Sequence, residues 1–203
     1  MRLILDTVSG QNQFALITED GKVTHKTFDR RTESGLLLSE LSTSLSNLNS
    51  STAQVSELSV NVGPGSFTGI KVGLSIAQTF SLVHSTKLTA FTSFDILASK
   101  AQLNNIAFSG ILIYAYQNEY FSASLVDKSW LFKLVKSSQI PPGEWLYDGP
   151  SRYASEAWYE LPQSVDLDWN QFMSECNFDA EICPFYGKKS TAEMNAAKTL
   201  KAT

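Results

Sequence analysis

The sequence predicts an α/β fold of two lobes, each a mixed β-sheet covered by helices. Two observations support this prediction. Strands and helices alternate through the first half of the chain, and residues 110–128 repeat the layout of residues 2–22: an apolar strand, a short polar turn, a second strand and an acidic residue near the next turn. We infer an internal duplication, with an N-terminal lobe over 1–103 and a C-terminal lobe over 104–203 whose last helix can pack back on the first lobe.

The first lobe is predicted to open with a three-stranded meander over 3–6, 13–18 and 22–28, because Asp20-Gly21 marks a turn. An amphipathic helix is expected over 33–48. Its signature is a set of leucines that recur at steps of three and four residues, Leu37, Leu38, Leu41, Leu45 and Leu48. A strand over 58–62, a helix over 66–84, a strand over 88–91 and a helix over 93–101 complete this lobe.

The second lobe is predicted to continue after its first two strands with a strand over 130–135. A turn at Pro141-Pro142-Gly143 leads to a strand over 145–147. Helices are expected over 152–161, 166–176 and 190–201.

Composition limits where the protein acts. The 203 residues are 43% apolar, but no apolar stretch approaches the roughly 18 to 20 residues of a membrane-spanning helix. The N-terminal apolar run is too short for a signal-peptide core, so we expect a cytoplasmic protein without membrane association. The formal net charge of −4 provides no positive field for a polyanion, so any contact with nucleic acid is expected to be indirect.

The strongest local motif is NVGPGSFTGIKVGLSIAQTFSL over 61–82, in which an apolar strand meets a Gly-Pro-Gly turn and a helix. Ser66 or Thr68 can cap that helix. The free N–H groups at its start can bind an anion, which makes Gly63, Gly65 and Ser66 candidate anion- or nucleotide-binding residues. The alternative is a tight, rigid turn without any ligand.

Small residues recur every four positions along the same helix, at Gly69, Gly73, Ala77 and Ser81. Such a stripe lets another element approach closely, either inside the lobe or at a subunit interface. Bulky apolar residues lie on the adjoining faces, so the helix is expected to be buried on more than one side. They are Ile70, Leu74, Ile76 and Phe80.

No pattern of reactive side chains predicts catalysis. His25 and His84 are too separated in sequence to indicate a metal site, and Cys176 and Cys183 match no common zinc or redox spacing. Neither a nucleophile-and-base arrangement nor a GxxxxGK[ST] loop is present. We therefore predict no catalytic residue, no metal, no cofactor, and cysteines that remain reduced.

Four segments resemble the TsaB (YeaZ) family: GPGSFTGIKVG over 63–73, the opening LILDT over 3–7, LTAFTSFDILAS over 88–99, and the late CPFY over 183–186. The segment over 63–73 is specific to this family, and the other three segments support the same resemblance. The resemblance covers the first half well and the second half loosely. It implies two ribonuclease-H-like lobes of the actin and Hsp70 superfamily.

The resemblance also implies a function. TsaB proteins are non-catalytic paralogues of TsaD (Gcp/Kae-like), with which they pair through helices of the first lobe. The pair works with the ATPase TsaE to transfer a threonylcarbamoyl group to the adenosine beside the tRNA anticodon. When the family's contact surface is transferred to this sequence by position, it lies on the predicted helices over 33–48 and 66–84. The residues that we predict to form it are Leu37, Leu41, Gly69, Gly73, Ala77 and Phe80.

The remaining candidate nucleotide-binding residues lie at the ends of predicted strands. In actin-like ATPases, phosphate and magnesium lie at a tip such as Asp6-Thr7, so both residues are candidate nucleotide-binding residues. The matching tip of the second lobe, residues 114–116, has neither a carboxylate nor a glycine. TsaD binds its metal through two histidines on the helix where this chain has residues 92–95, which include no histidine.

Two other functions compete with this prediction. One is a stand-alone ATPase or metallopeptidase of the glycoprotease superfamily. The other is a homodimeric regulator in which the small-residue stripe packs against its own copy. The sequence departs from the family at Tyr114 and Tyr116, where the family often has Asp and Arg, and at the terminal Tyr-x-Arg pattern, which reads Tyr186-Gly187-Lys188.

Overall fold

The computed structural model of the chain describes residues 1–29, 34–126, 129–155, 158–160 and 167–176. Within those residues, no helix combines the length and the apolar character needed to cross a membrane. The described residues form two five-stranded mixed sheets with four α-helices. The predicted α/β class is therefore confirmed, whereas the lobe boundary at 103/104 stays a prediction.

The first sheet combines the predicted meander with two parallel strands. It contains β1 (Arg2–Asp6), β2 (Gln11–Ile17), β3 (Val23–Asp29), β4 (Glu57–Asn61) and β5 (Lys87–Phe91). Their spatial order is β3-β2-β1-β4-β5, with β1 antiparallel to β2 and parallel to β4. Gly21 makes the turn between β2 and β3 at a positive φ of 83°, where glycine carries no steric cost.

Three helices connect the strands of this sheet: α1 (Ser34–Asn47), α2 (Phe67–His84) and α3 (Ser93–Leu103). In α1, the residues Leu37, Leu41 and Leu45 are buried, as the three-and-four spacing predicted. Leu38, which belongs to the same predicted apolar set, is instead exposed. These leucines pack with the apolar side of α2 on one face of the first sheet.

The second sheet contains β6 (Gly110–Tyr116), β7 (Glu119–Val126), β8 (Ser129–Lys136), β9 (Trp145–Asp148) and β10 (Trp158–Glu160). Its order is β10-β9-β6-β7-β8. Strand β6 lies in the centre of this sheet. It is antiparallel to β7 and parallel to β9. The two sheets therefore share one strand order, which confirms the internal duplication at the level of topology.

One helix from the second half of the sequence packs on the first sheet. This helix is α4 (Trp169–Glu175), which lies inside the predicted helix over 166–176. The Trp169 ring lies 5.1 Å from the ring of His25, and Phe172 meets Phe91 edge-on at 5.3 Å. The helix predicted over 190–201 lies outside the described residues.

The prediction of a helix over 152–161 is wrong. The structure has a short 3-10 turn at Ser151–Tyr153 and then strand β10, which pairs in parallel with β9. In this position the ring of Trp158 packs against Tyr120 and Tyr147 at 5.2 and 5.4 Å. Tertiary contacts with a sheet edge override the helical pattern of a short segment.

Candidate functional site

The carboxylate of Asp6 lies at the carboxyl end of β1 and is fully buried. Its Oδ1 accepts hydrogen bonds from the backbone N–H groups of Val8 and Ser9 at 2.9 and 3.1 Å, and from Asn61 Nδ2 at 2.9 Å. Its Oδ2 accepts one from Gln13 Nε2 at 3.0 Å. Four donors therefore surround this carboxylate, as a buried charge requires.

Asn61 connects this carboxylate to the neighbouring strands. Its Nδ2 also lies 3.0 Å from Ser93 Oγ, and its Oδ1 accepts a hydrogen bond from the Gly63 N–H at 2.9 Å. The backbone of Ser93 in turn donates to the Gly63 carbonyl at 2.9 Å. We call the side chains of Asp6, Gln13, Asn61 and Ser93 the polar tip. It joins the ends of three strands and fixes the start of the Gly-Pro-Gly turn.

The turn passes into α2 by close backbone contacts. Ser66 caps the helix by accepting a hydrogen bond from the Gly69 N–H at 3.1 Å, which confirms one of the two predicted caps. A Cβ added to Gly69 would lie only 1.8 Å from the Thr7 carbonyl oxygen. Thr7 Oγ1 donates to the Gly69 carbonyl at 2.7 Å, so glycine lets α2 touch the end of β1 directly.

A cleft of about 360 Å³ opens beside this turn, between the two halves of the chain. The first half contributes residues 8–10 and 64–66, and the second half contributes residues 113–115 and 148–150. Among the described residues, no group of three or more His, Cys, Asp or Glu side chains comes together to hold a metal ion.

The structure separates the predicted nucleotide-binding residues into two sets. Asp6 and Thr7 are buried, and their side chains bond within the protein. Both side chains are therefore held by internal hydrogen bonds, and a role for them in holding phosphate or magnesium stays a prediction. Gly65 and Ser66 line the cleft. The Gly63 N–H instead donates a hydrogen bond to Asn61 Oδ1.

The residues chosen for a partner interface all lie inside the first lobe. They are Leu37, Leu41, Gly69, Gly73, Ala77 and Phe80, and all are buried. A Cβ on Gly73, for example, would lie 2.7 Å from Thr7 Oγ1 and 3.2 Å from a methyl group of Val60. The small-residue stripe therefore brings α2 onto the sheet, and these six side chains do not present a surface. Whether a partner binds the two helices stays a prediction.

The outer sides of the same helices do present apolar groups. Phe67 is 50% exposed and Leu82 is 86% exposed at opposite ends of α2. Val83 is also exposed on α2, as are Leu36 and Leu38 on α1. We call these five exposed residues the outer helical face, although Leu36 and Leu38 lie roughly 200° apart around α1. Lys71 lies on it as well, with its Nζ 4.3 Å from the centre of the Phe67 ring.

Sequence reasoning missed three members of the polar tip: Gln13, Asn61 and Ser93. For Asn61 the available signal was an amide side chain at the last position of the strand segment LSVN over 58–61. Such a residue is buried only when a partner satisfies it. That partner, Asp6, lies 55 positions away in the sequence.

The matching tip of the second half is aromatic. By register, Tyr114 and Tyr120 on β6 and β7 take the places of Asp6 and Gln13 on β1 and β2. The Tyr114 ring stacks on Tyr153 at 4.5 Å and meets Tyr120 edge-on at 5.8 Å. Burial raises the pKa of Tyr114, Tyr120 and Tyr147 above the ordinary value, and each has charged or phenolic neighbours that act in the same direction. These phenols stay neutral at physiological pH.

The sequence of the chain matches one family model. Residues 30–125 match the family described as TsaD: tRNA N6-adenosine threonylcarbamoyltransferase. No curated protein matches the sequence.

Two solved structures share the fold. YeaZ from Pseudomonas aeruginosa is 18% identical, with a TM-score of 0.64 over 86% of this chain and 90% of that one. An uncharacterised protein with similarity to peptidase YeaZ from Pseudomonas aeruginosa is 19% identical, with a TM-score of 0.60 over 72% of this chain and 75% of that one. The family match over residues 30–125 and the shared fold agree with the resemblance of the sequence to the TsaB (YeaZ) family.

Proposed function

We propose that this chain is a non-catalytic subunit that binds and activates a TsaD-like enzyme, which transfers threonylcarbamoyl to the adenosine beside the tRNA anticodon together with a TsaE-like ATPase. The match to the TsaD family model over residues 30–125 and the resemblance to TsaB proteins support a role related to tRNA modification. The observation that carries the finer proposal is the environment of Asp6. The carboxylate at the strand tip is sealed in the protein by four internal hydrogen bonds.

The burial and full hydrogen bonding of the Asp6 carboxylate argue against nucleotide hydrolysis in this cleft. To bind magnesium or orient a phosphate, Asp6 would have to give up hydrogen bonds to Gln13 and Asn61 in a site without solvent access. Leaving buried donors unpaired costs about 1 to 3 kcal/mol each. This environment supports a complex in which the partner carries out the chemistry.

The outer helical face supports the second part of the proposal, a contact with another protein. Its apolar side chains, Phe67 and Leu82 among them, are exposed on helices whose other sides pack the core. Exposed apolar groups on these two helices fit a partner that presents an apolar surface of its own. Contact with tRNA is then indirect, since the chain carries a net charge of −4.

The test is reconstitution of threonylcarbamoyl transfer with a TsaD-like enzyme, a TsaE-like ATPase and tRNA, with this chain present or omitted. We expect modified adenosine to form only when the chain is present. An unchanged rate on omission would refute the proposal. Calorimetry of the isolated chain with ATP and magnesium addresses the alternative of a stand-alone ATPase, and binding accompanied by turnover would support that alternative instead.

A further inference from the structure

Helix α3 packs against both sheets. Its Ile96 belongs to a core cluster with Phe91 of the first sheet. Its Phe94 and Ala98 belong to another cluster, with Ile111 of the second sheet. The relation of the two sheets to each other therefore depends on how each of them packs on this one helix.

The start of α3 is fixed to the first sheet by hydrogen bonds. Thr92, which follows β5, caps the helix by accepting a hydrogen bond from the Asp95 N–H at 3.3 Å. The Ser93 N–H donates to the Gly63 carbonyl at 2.9 Å, and Ser93 Oγ lies 3.0 Å from Asn61 Nδ2 in the polar tip. The helix start is therefore joined to the polar tip and to the Gly-Pro-Gly turn beside the cleft.

The carboxylate of Asp95 connects this helix start to the second sheet. Its Oδ2 accepts hydrogen bonds from the N–H and the hydroxyl of Thr92 at 2.7 and 2.6 Å. Its Oδ1 accepts one from Nε1 of Trp130, on β8, at 2.7 Å. Burial raises the pKa of the Cys176 thiol at the end of α4, and the negative charge of Asp95 adds to this effect. The carboxylate therefore lies where the two sheets and α4 come together.

The hydrogen bond between Asp95 and Trp130 restrains motion in a way that the apolar contacts around it do not. Apolar contacts are non-directional, and packed layers can slide past one another by small amounts. A hydrogen bond to a carboxylate is short and directional. We therefore propose that the bond between Asp95 and Trp130 is a latch that fixes the rotation of the second sheet about α3 and so sets the width of the cleft. This latch does not depend on the proposed function.

The position of β8 lets this latch act on the cleft. In the order β9-β6-β7-β8, three strand spacings, about 14 Å, separate β8 from β9. The second half lines the cleft with residues 113–115 and 148–150, at the ends of β6 and β9. If the bond at β8 is lost, rotation of the sheet about α3 should move these residues relative to residues 64–66, which stay with the polar tip.

The test measures distances between the two halves of the full chain by pulsed electron paramagnetic resonance. In a common background with Cys176→Ser and Cys183→Ser, spin labels are attached at Leu82→Cys on α2 and Tyr159→Cys on β10, two exposed positions. Trp130→Phe keeps a ring on Phe94 and removes the donor. We expect the mean distance to move by about 2 Å or more and the distribution to broaden.

Trp145→Phe is the matched control. Trp145 lies in the same sheet, but its Nε1 donates to the Pro141 carbonyl at 3.0 Å, within the second half. This variant should leave the distance distribution unchanged. Asp95→Asn tests the latch from the acceptor side. Because a neutral amide oxygen is a weaker acceptor than a carboxylate, we expect a smaller change than in Trp130→Phe.

Two results would overturn the proposal. One is an unchanged distance distribution in Trp130→Phe at the melting temperature of the background chain. The other is an equal change in Trp130→Phe and Trp145→Phe, which would indicate general loosening of the second sheet. Melting temperatures are recorded for every variant, and the Asp95→Asn distribution decides the question if Trp130→Phe fails to fold.

Discussion

The two halves of the chain have the same strand order but opposite chemistry at the same topological point. In the first half, Asp6 on β1 bonds to Gln13 on β2. In the second half, Tyr114 on β6 meets Tyr120 on β7 edge-on. Beside them, Asn61 ends one parallel strand, whereas Gly149 follows the other. A duplicated scaffold therefore keeps its strand order when a polar centre is replaced by an aromatic one, although the pairing of β6 with β7 is irregular between Tyr114 and Tyr116.

The connections that follow these tips differ as well. After β4 the chain turns at residues 63–65 and forms the 18-residue helix α2. After β9 it forms a 3-10 turn at Ser151–Tyr153 and the short strand β10. A Cβ at Gly149 would lie 2.5 Å from Tyr114 Cβ and from the Tyr147 hydroxyl. In the first half helix α2 begins beside the strand tip. At the matching place in the second half, the side chains of Tyr114 and Tyr147 pack against Gly149.

The largest effect should follow from removing the carboxylate of the polar tip. Asp6→Ala leaves four donors without an acceptor in a buried site, and we expect the free energy of unfolding to fall by about 3 to 4 kcal/mol. Denaturant unfolding measures this change. The matched control, Asp20→Ala in an exposed turn, should cost about 0.5 kcal/mol or less. A loss of less than about 1 kcal/mol for Asp6→Ala would show that the tip is not a structural centre.

The next effect tests the close approach of α2 to that tip. Gly69→Ala places a methyl group on the Thr7 carbonyl, and we expect a loss of about 2 to 3 kcal/mol from the shift this requires. Gly10→Ala is the control, since a Cβ there meets nothing within 4 Å. Equal melting temperatures for the two variants would contradict the described packing of α2.

How far the sequence could predict these features depends on the range of the contacts. The strands, the helix over 66–84 and its Ser66 cap follow from local spacing and turn chemistry. The role of Asp6 could not be predicted, because its partner Asn61 is brought to it only by the pairing of β1 with β4. Likewise, only the packing of α2 on the sheet shows that Gly73 and Ala77 face inward.

A smaller loss should accompany damage to the aromatic tip. Tyr114→Ala removes the ring stacked on Tyr153 and in contact with Tyr120. We expect a decrease of about 2 kcal/mol in the free energy of unfolding, because the ring is only partly buried. Tyr114→Phe keeps the ring and should restore most of that loss. If both variants lose the same amount, the hydroxyl rather than the stacking is the important group.

The mildest effect concerns alkaline pH. All seven tyrosines lie in the second half of the sequence, and burial raises the pKa of Tyr147 and Tyr120 above the ordinary value of 10.0. Below that value both the folded and the unfolded chain keep the phenolic protons. Above it the unfolded chain releases them first, so stability should fall as pH rises.

Melting temperatures at about pH 9 and about pH 11 measure this decline. Tyr147→Phe removes one such phenol and should make the decline shallower. A decline of the same steepness in wild type and variant would assign the alkaline sensitivity to other groups.

The central claim is that the first lobe acts through the outer helical face while its tip is purely structural. The most direct measurement is the affinity of Leu82→Lys for a TsaD-like partner, recorded beside its melting temperature. We predict binding weaker by about tenfold or more at an unchanged melting temperature. Wild-type affinity in this variant, in a partner complex that is otherwise active, would contradict the account.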